Sequence, residues 1–132
     1  VPSGATFVTR SAPDGTVMEE SGTGQRHVIY AIDLVSDADR CFVIRNGRPE
    51  MGKITGTGCQ LSGMMTAFVA ANPDRRLEAA AAAVCAMGLA GEIGWSRMAQ
   101  GDGNSTYRNR IIDAIYNMDG AALDKGAKYE VR

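Results

Sequence analysis

Four residues near the middle of the chain have the types and the order needed to bind an anion beside a nucleophile. Gly56-Thr57-Gly58-Cys59 follows a short β-prone stretch and precedes a run of helix-forming residues. A helix N-terminus leaves backbone N–H groups without partners and carries a partial positive charge. Glycine lets the backbone approach a bound group closely. The segment therefore predicts a turn whose amide groups bind a phosphoryl group during its transfer.

Cys59 lies in the first turn of the predicted helix, where the thiolate form is favoured by the same amide groups. A thiolate there can accept the proton of a hydroxyl group that attacks a γ-phosphate. The simpler interpretation is an ordinary turn between a strand and a helix, with the cysteine packed as a small hydrophobe. Four residues by themselves favour the simpler interpretation, because short motifs are weak signals.

The elements that must position this turn begin with two β-prone segments. Val28–Val35 and Arg40–Arg45 are separated by the turn-forming residues 36–39, and this order predicts a β-hairpin. Met51–Thr55 is predicted to be extended and to lead into the glycines.

Three helices are predicted after the turn. They cover Cys59–Ala71, Leu77–Gln100 and a third segment capped by Asn104 or Ser105. The second helix has no charge between Glu78 and Glu92, so most of its circumference should be buried. Gly88, Gly91 and Gly94 lower its intrinsic stability, and we expect close packing against a sheet or another helix in return.

The third helix is amphipathic, and the chain after it is polar. Tyr107, Ile111, Ile115 and Met118 recur at helical spacing and predict one core-facing side. Lys125–Arg132 is predicted to be a polar tail.

Composition limits the class of protein. The chain has 132 residues, 45% hydrophobic and 22% charged, with a formal net charge of −1, which is typical of one globular domain. The charge balance argues against binding of nucleic acid or an anionic membrane. Cys41, Cys59 and Cys85 are too irregularly spaced for a zinc site, and we expect reduced thiols in a cytoplasmic protein.

The wider segment around the turn resembles the C-terminal half of the hydroxyethylthiazole kinases, a family of the ribokinase-like superfamily. The residues that carry the resemblance are Met51-Gly52-Lys53-Ile54-Thr55-Gly56-Thr57-Gly58-Cys59-Gln60-Leu61-Ser62, Ala86-Met87-Gly88-Leu89-Ala90-Gly91-Glu92 and Gly101-Asp102-Gly103-Asn104. Most ribokinase-like kinases have aspartate where this chain has Cys59, and cysteine after Gly-Thr-Gly is typical of the thiazole kinases. The resemblance runs from about Asp33 to Leu123. It implies an α/β, ribokinase-like three-layer fold, with residues 27–132 as its C-terminal part.

The resemblance also implies a reaction and roles for the turn. The family transfers the γ-phosphate of ATP, with Mg²⁺, to the primary alcohol of 4-methyl-5-(2-hydroxyethyl)thiazole in thiamine salvage. By this likeness Cys59 is the catalytic base and Gly56 contacts the substrate. The amides of Thr57, Gly58 and Cys59 form the anion hole. The likeness assigns no metal ligand to this chain, and it implies a homotrimer with active sites at subunit interfaces.

Three departures from the family pattern leave alternatives open. The family protein is about twice as long, and its threonine–glycine nucleotide contact corresponds to Ile29 and Tyr30 here. Residues 1–26 are predicted to be loop-rich and have no family counterpart. With Val1 in place of an initiator methionine, we expect a fragment or a shifted upstream reading frame. The alternatives are a kinase for another small alcohol, such as a pyrimidine or a sugar, and a non-catalytic fragment that serves in oligomerisation.

Overall fold

The structure of the chain, a computed structural model, describes residues 16–20, 26–30 and 32–132. The strands are β1 (Thr16–Glu20), β2 (Arg26–Tyr30), β3 (Asp33–Ser36), β4 (Cys41–Ile44) and β5 (Tyr129–Val131). The helices are α1 (Thr57–Ala71), α2 (Arg76–Ser96), α3 (Asn104–Tyr116) and α4 (Gly120–Gly126), and Pro49–Lys53 forms a 3₁₀ turn. Strands followed by helices confirm the predicted mixed α/β class.

The predicted hairpin is present as β3 and β4. The two strands pair antiparallel, with Asp33 opposite Ile44. The turn between them is closed by Asp37, whose carboxylate accepts hydrogen bonds from the amides of Asp39 (2.9 Å) and Arg40 (2.8 Å). These backbone hydrogen bonds, that of Arg40 first, hold the pKa of Asp37 below its usual value. An aspartate that binds amides two and three residues ahead explains why residues 36–39 turn.

Two predictions for the segments before α1 were wrong. The single predicted strand Val28–Val35 divides into β2, which pairs antiparallel with β1, and β3, which starts the hairpin. Met51–Thr55 was predicted to be extended, but Pro49–Lys53 forms the 3₁₀ turn. Proline at the first position of a helical turn is favourable, since its fixed φ suits the turn and it lacks only an N–H that would be unpaired.

The N-terminal segment contains a strand where it is described. Residues 16–20 form β1, within the segment 1–26 that the sequence predicted to be loop-rich. The remainder of that prediction, on 1–15 and 21–25, falls outside the described residues.

The C-terminal residues were predicted to be a polar tail, and this was wrong. They form α4 and then β5, which pairs antiparallel with β4. Cys41 and Arg132 exchange backbone hydrogen bonds of 2.6 and 2.8 Å. All residues of β5 are exposed, so its sequence has no alternation of apolar and polar residues that would predict a strand. The strand forms because the edge of β4 offers it backbone hydrogen bonds.

α2 is the central helix, and its predicted burial is confirmed. It packs against α1, α3 and the sheet, and fourteen of its residues are buried. Val35 and Ile44 of the sheet, both 0% exposed, pack against its N-terminal half. The helix is long and apolar enough to cross a membrane by length and composition, but most of it is buried within the fold, as in a core helix. It ends at Ser96, four residues before its predicted end.

The three glycines of α2 are sites of close packing, as predicted. A Cβ at Gly88 would lie 2.7 Å from backbone of Asn46, and a Cβ at Gly94 would lie 3.1 Å from the amide nitrogen of Ile111. A Cβ at Gly91 would overlap the side chain of Met51. The segment after β4 therefore packs closely at Gly88, the 3₁₀ turn at Gly91 and α3 at Gly94.

The start of α3 differs from its prediction. Gly103 is the N-cap residue of α3, and no side chain accepts a hydrogen bond from the first amides of this helix, so neither Asn104 nor Ser105 has the predicted capping role. The side-chain amide of Asn104 instead donates a hydrogen bond to the carbonyl of Lys53 (3.2 Å). The predicted core face is confirmed at Tyr107 and Ile111, which are 1% and 0% exposed.

Candidate active site at the start of α1

The glycine turn opens α1 as predicted, although the helix begins two residues earlier than expected. Gly56 is the N-cap residue with φ +97°, in the left-handed region that favours glycine. Its carbonyl accepts the first helical hydrogen bond, from the amide of Gln60 (3.0 Å). The amides of Thr57, Gly58 and Cys59 precede that bond and have no acceptor within the helix. Three amide donors therefore lie together at the positive end of the helix dipole.

The three cysteines differ in their exposure. Cys59 is exposed, Cys41 is half-buried and Cys85 is 4% exposed. The interpretation of a small packed hydrophobe therefore fits Cys85, which lies in the core between α2 and the sheet. Burial, and secondarily the charge of Asp33, raises the pKa of Cys85 to about 11. Cys59 is accessible to a substrate at the same end of α1 as the three amides.

The neighbourhood of the turn in the sequence is uncharged. From Ile54 to Pro73 the chain has no acidic or basic residue, so the helix dipole is the main local source of positive potential that this segment supplies. The Ser62 hydroxyl donates to the carbonyl of Gly58 (3.0 Å) and is engaged within the helix. The side-chain oxygen of Gln60, next to Cys59, is buried with no hydrogen-bond partner in the described part of the chain.

The base of the turn is anchored on α2 and α3. Ile54, 7% exposed, packs in a cluster with Met87, Ala90 and Tyr107. The Tyr107 hydroxyl donates to the carbonyl of Gly91 (2.8 Å), and burial raises the pKa of Tyr107 to about 12. Tyr107 is therefore neutral, and its hydroxyl is hydrogen-bonded within the protein. Its role is structural, because its packing against Ile54 holds the segment that leads into Gly56.

A polar network around Asn46 anchors the segment that follows β4. Asn46 is 5% exposed, and its amide nitrogen donates to Glu92 (3.1 Å) and to the carbonyl of Gly126 (3.0 Å). Its side-chain oxygen accepts from the amide of Lys128 (2.7 Å). Glu92 also accepts from the amide of Gly47 (2.9 Å) and pairs with the Lys128 ammonium (2.7 Å). Three segments that are distant in the sequence meet at this asparagine, and no local pattern predicts this contact.

A cavity of about 390 Å³ lies beside the 3₁₀ turn and does not include residues 56–59 in its lining. Its lining includes Glu50, Lys53, Trp95, Asp102 and Asn104. Both carboxylates are already paired: Glu50 with Arg48 (2.9 Å), and Asp102 with the amide of Ala99 (2.8 Å) and with Arg110 (3.2 Å). This cavity and the α1 turn are therefore two separate features.

Two further expectations concern the nucleotide and the metal. Ile29, at the position of the family's nucleotide-contacting threonine, lies in β2 opposite Val17. Among residues 32–132, histidine, cysteine, aspartate and glutamate side chains form no group of three or more that would hold a metal ion.

Residues 25–120, which include β2 to β4, the Gly-Thr-Gly-Cys turn and α1 to α3, match a family model described as the hydroxyethylthiazole kinase family. The chain belongs to the hydroxyethylthiazole kinase family. The hydroxyethylthiazole kinase of Clostridium acetobutylicum is 53% identical over 100 residues, which are 76% of this chain and 37% of that protein. The enzyme of the same name from Granulibacter bethesdensis is 36% identical over 121 residues, 92% of this chain and 43% of its own length.

A solved structure of a hydroxyethylthiazole kinase protein from Pyrococcus horikoshii shares the fold. It matches with a TM-score of 0.69 and 28% identity, over 80% of this chain and 39% of that one. The chain thus spans about two fifths of the length of the hydroxyethylthiazole kinases that it matches. The described elements correspond to the C-terminal portion of that kinase fold.

Proposed function

We propose that this chain supplies the phosphoryl-transfer site of a hydroxyethylthiazole kinase, which phosphorylates the primary hydroxyl of 4-methyl-5-(2-hydroxyethyl)thiazole with ATP. The observation that carries the proposal is the start of α1. There Gly56, at φ +97°, leaves three amides without helical partners beside the exposed Cys59. Family membership supports the choice of substrate.

In the proposed mechanism each residue of the turn has one task. Gly56 contacts the thiazole substrate, since its missing side chain lets the substrate approach the backbone. The hydroxyl oxygen attacks the γ-phosphorus in line, and the bond from that phosphorus to the bridging oxygen of ADP breaks. The amides of Thr57, Gly58 and Cys59 donate to the oxygens of the transferred phosphoryl group. The Cys59 thiolate accepts the hydroxyl proton and later releases it to solvent.

Mg²⁺ is the expected metal of such a kinase, and its chemistry is neutralisation of phosphate charge during transfer. Among the described residues no group of three or more histidine, cysteine, aspartate or glutamate side chains is present. We therefore assign no step of the mechanism to a metal held by these residues.

The wider assignments follow from the family. We propose that the complete enzyme is a cytoplasmic homotrimer that takes ATP and the thiazole alcohol, and that it binds neither nucleic acid nor membrane. In-line transfer requires both substrates to be positioned together. We expect little or no turnover by the 132-residue chain alone, and measurable turnover by it would contradict this expectation.

A chimera tests the function. The 100-residue segment of the Clostridium kinase that matches this chain is replaced by the corresponding residues of this chain, and phosphorylation of the thiazole alcohol is followed by mass spectrometry. We expect turnover near that of the parent enzyme. Cys59→Ala should lower kcat by roughly 10²–10⁴, the usual contribution of a general base. Cys41→Ala is the matched control, since Cys41 lies in β4, and it should leave kcat unchanged.

Two results would contradict the assignment. Unchanged kcat in Cys59→Ala would exclude Cys59 as the base. A folded chimera that phosphorylates a hydroxymethylpyrimidine or a sugar, and not the thiazole alcohol, would favour the other small-alcohol kinase.

A further inference from the structure

The cavity of about 390 Å³ beside the 3₁₀ turn has an apolar side made of aromatic and methionine side chains. Trp95, Met98 and Tyr107 line it and belong to one hydrophobic cluster. The rings of Trp95 and Tyr107 meet edge to face, with their centroids 5.3 Å apart. Small-molecule sites in proteins have volumes of roughly 300–1,000 Å³ and combine such an apolar lining with a few polar groups. A flat ring can therefore pack against this side of the cavity.

The charged residues of the cavity leave one positive charge without a partner. Glu50 accepts two hydrogen bonds from Arg48, of 3.0 and 2.9 Å, and Asp102 pairs with Arg110 (3.2 Å). Lys53 is the third charged residue of the lining, and in the part of the chain that the structure describes its ammonium forms no hydrogen bond or ion pair. Because arginines neutralise both carboxylates, the net charge of the cavity is that of Lys53.

The start of α3 adds positive potential to the same cavity. Gly103 and Asn104 line it, and Gly103 is the N-cap residue of α3 without a side-chain cap. The first helical hydrogen bond runs from the amide of Tyr107 to the carbonyl of Gly103 (3.0 Å), so the three amides between them have no acceptor within the helix. The positive end of the helix dipole favours a bound anion, and it therefore acts in the same direction as the Lys53 ammonium.

We infer that this cavity is a binding site for a small anion that carries a flat ring, either an aryl carboxylate or an aryl phosphate monoester. The Lys53 ammonium binds the acidic group, and the ring packs against Trp95 and Tyr107. Residues 56–59 do not line the cavity, so its ligand is bound apart from the candidate active site. Binding here requires no step of the proposed phosphoryl transfer.

An NMR titration of the full 132-residue chain tests the inference. Trp95 is the only tryptophan of the sequence, so its indole N–H gives one distinct signal in a ¹H–¹⁵N spectrum and reports on the apolar side of the cavity. Phenyl phosphate and benzoate are added in separate titrations. We expect a saturable shift of the indole signal with at least one of them, and the ligand that binds more tightly identifies the acidic group.

Two further ligands separate the contribution of the charge from that of the ring. Phenol has the ring without the acidic group, and inorganic phosphate has the charge without the ring. Each should bind roughly tenfold more weakly than the better aryl anion, because each lacks either the charge-assisted hydrogen bond or the contact with the aromatic side chains.

Variants of lysine assign the binding to the cavity. Lys53→Gln should weaken binding of the better aryl anion by roughly tenfold, because the charged hydrogen-bond donor is lost, and Lys53→Arg should retain most of the affinity. Lys125→Gln is the matched control, since Lys125 is exposed in α4 and does not line the cavity, and it should bind like the parent chain. Lys53 is itself exposed, so all three variants should keep the thermal unfolding curve of the parent chain.

Three results would overturn the inference. They are the absence of a saturable shift with both aryl anions, equal affinity for phenol and the better aryl anion, and unchanged affinity in Lys53→Gln. The titration contains neither ATP nor the thiazole alcohol. Loss or absence of turnover in the chimera therefore bears on the proposed function and leaves this result unaffected.

Discussion

Replacement of Gly88 by alanine should destabilise the fold although alanine is the better helix former. An alanine Cβ at this position would lie 2.7 Å from the carbonyl carbon and the Cβ of Asn46, and 2.8 Å from its carbonyl oxygen. Carbon atoms in ordinary contact are about 3.5–4.0 Å apart, so one of the two backbones must move by close to 1 Å. Overpacking of this kind costs roughly 1–3 kcal/mol.

Asn46 is a poor candidate to move. Its side chain takes part in three hydrogen bonds, to Glu92, to the carbonyl of Gly126 and from the amide of Lys128, and each contributes about 1 kcal/mol. The cost at Gly88 should therefore reach the upper end of the overpacking range. Alanine returns about 1 kcal/mol of helix propensity, which leaves a net loss of about 2 kcal/mol in the free energy of unfolding.

The matched control is Gly63→Ala, in a helix position where a Cβ would meet nothing within 4 Å. Only the propensity gain of about 1 kcal/mol operates there, so the two variants should differ by roughly 3 kcal/mol. Urea unfolding, followed by circular dichroism and by the fluorescence of Trp95, measures both. If Gly88→Ala is as stable as the parent chain while Gly63→Ala is stabilised as expected, contact with the backbone of Asn46 is not the reason for glycine at position 88.

Three further predictions concern the buried network and the thiols. Asn46→Ala should lower the free energy of unfolding by about 2–3 kcal/mol, because it removes three hydrogen bonds, among them those to the Gly126 carbonyl and from the Lys128 amide; a loss under 1 kcal/mol in urea unfolding would contradict this. Stability should fall as the pH rises from 9 to 11, by roughly 3 kcal/mol from Cys85 alone, since the unfolded thiol loses its proton near 9 and the folded one near 11. Cys85→Ala should lack this part of the pH dependence, and parallel curves for the two chains would disprove it. Iodoacetamide at pH 8 should modify the exposed Cys59 well before the buried Cys85, as peptide mass mapping would show; equal rates would mean that the core opens.

Local sequence patterns were sufficient to predict the elements that short-range backbone preferences and the spacing of apolar residues determine. The hairpin followed from two β-prone segments around an aspartate turn, and α1 followed from helix-forming residues between glycines and Pro73. The burial of α2 was predicted because its charge-free stretch leaves no side chain that must face water. The glycine turn before Cys59 was predicted for the same kind of reason, since only glycine adopts the conformation of Gly56 without strain.

The sequence predictions were wrong where the structure of a segment depends on contact with residues that are distant in the sequence. β5 is a strand because the edge of β4 offers hydrogen bonds, and nothing in its own exposed residues indicates this. The 3₁₀ turn at Pro49–Lys53 packs Met51 onto Gly91, a contact between segments some forty residues apart. α3 begins without a side-chain cap because its N-cap residue is Gly103, and the side chain of Asn104 bonds to the carbonyl of Lys53.

The sequence by itself determined the class of fold, the family and the turn that places Cys59 beside three free amides. It did so because backbone preferences and the spacing of apolar residues act over a few positions. Only the tertiary structure decided that Asn46 joins three segments of the chain and that β5 pairs with the edge of β4. Burial depends on what folds against a residue from elsewhere in the chain, and local spacing does not specify that.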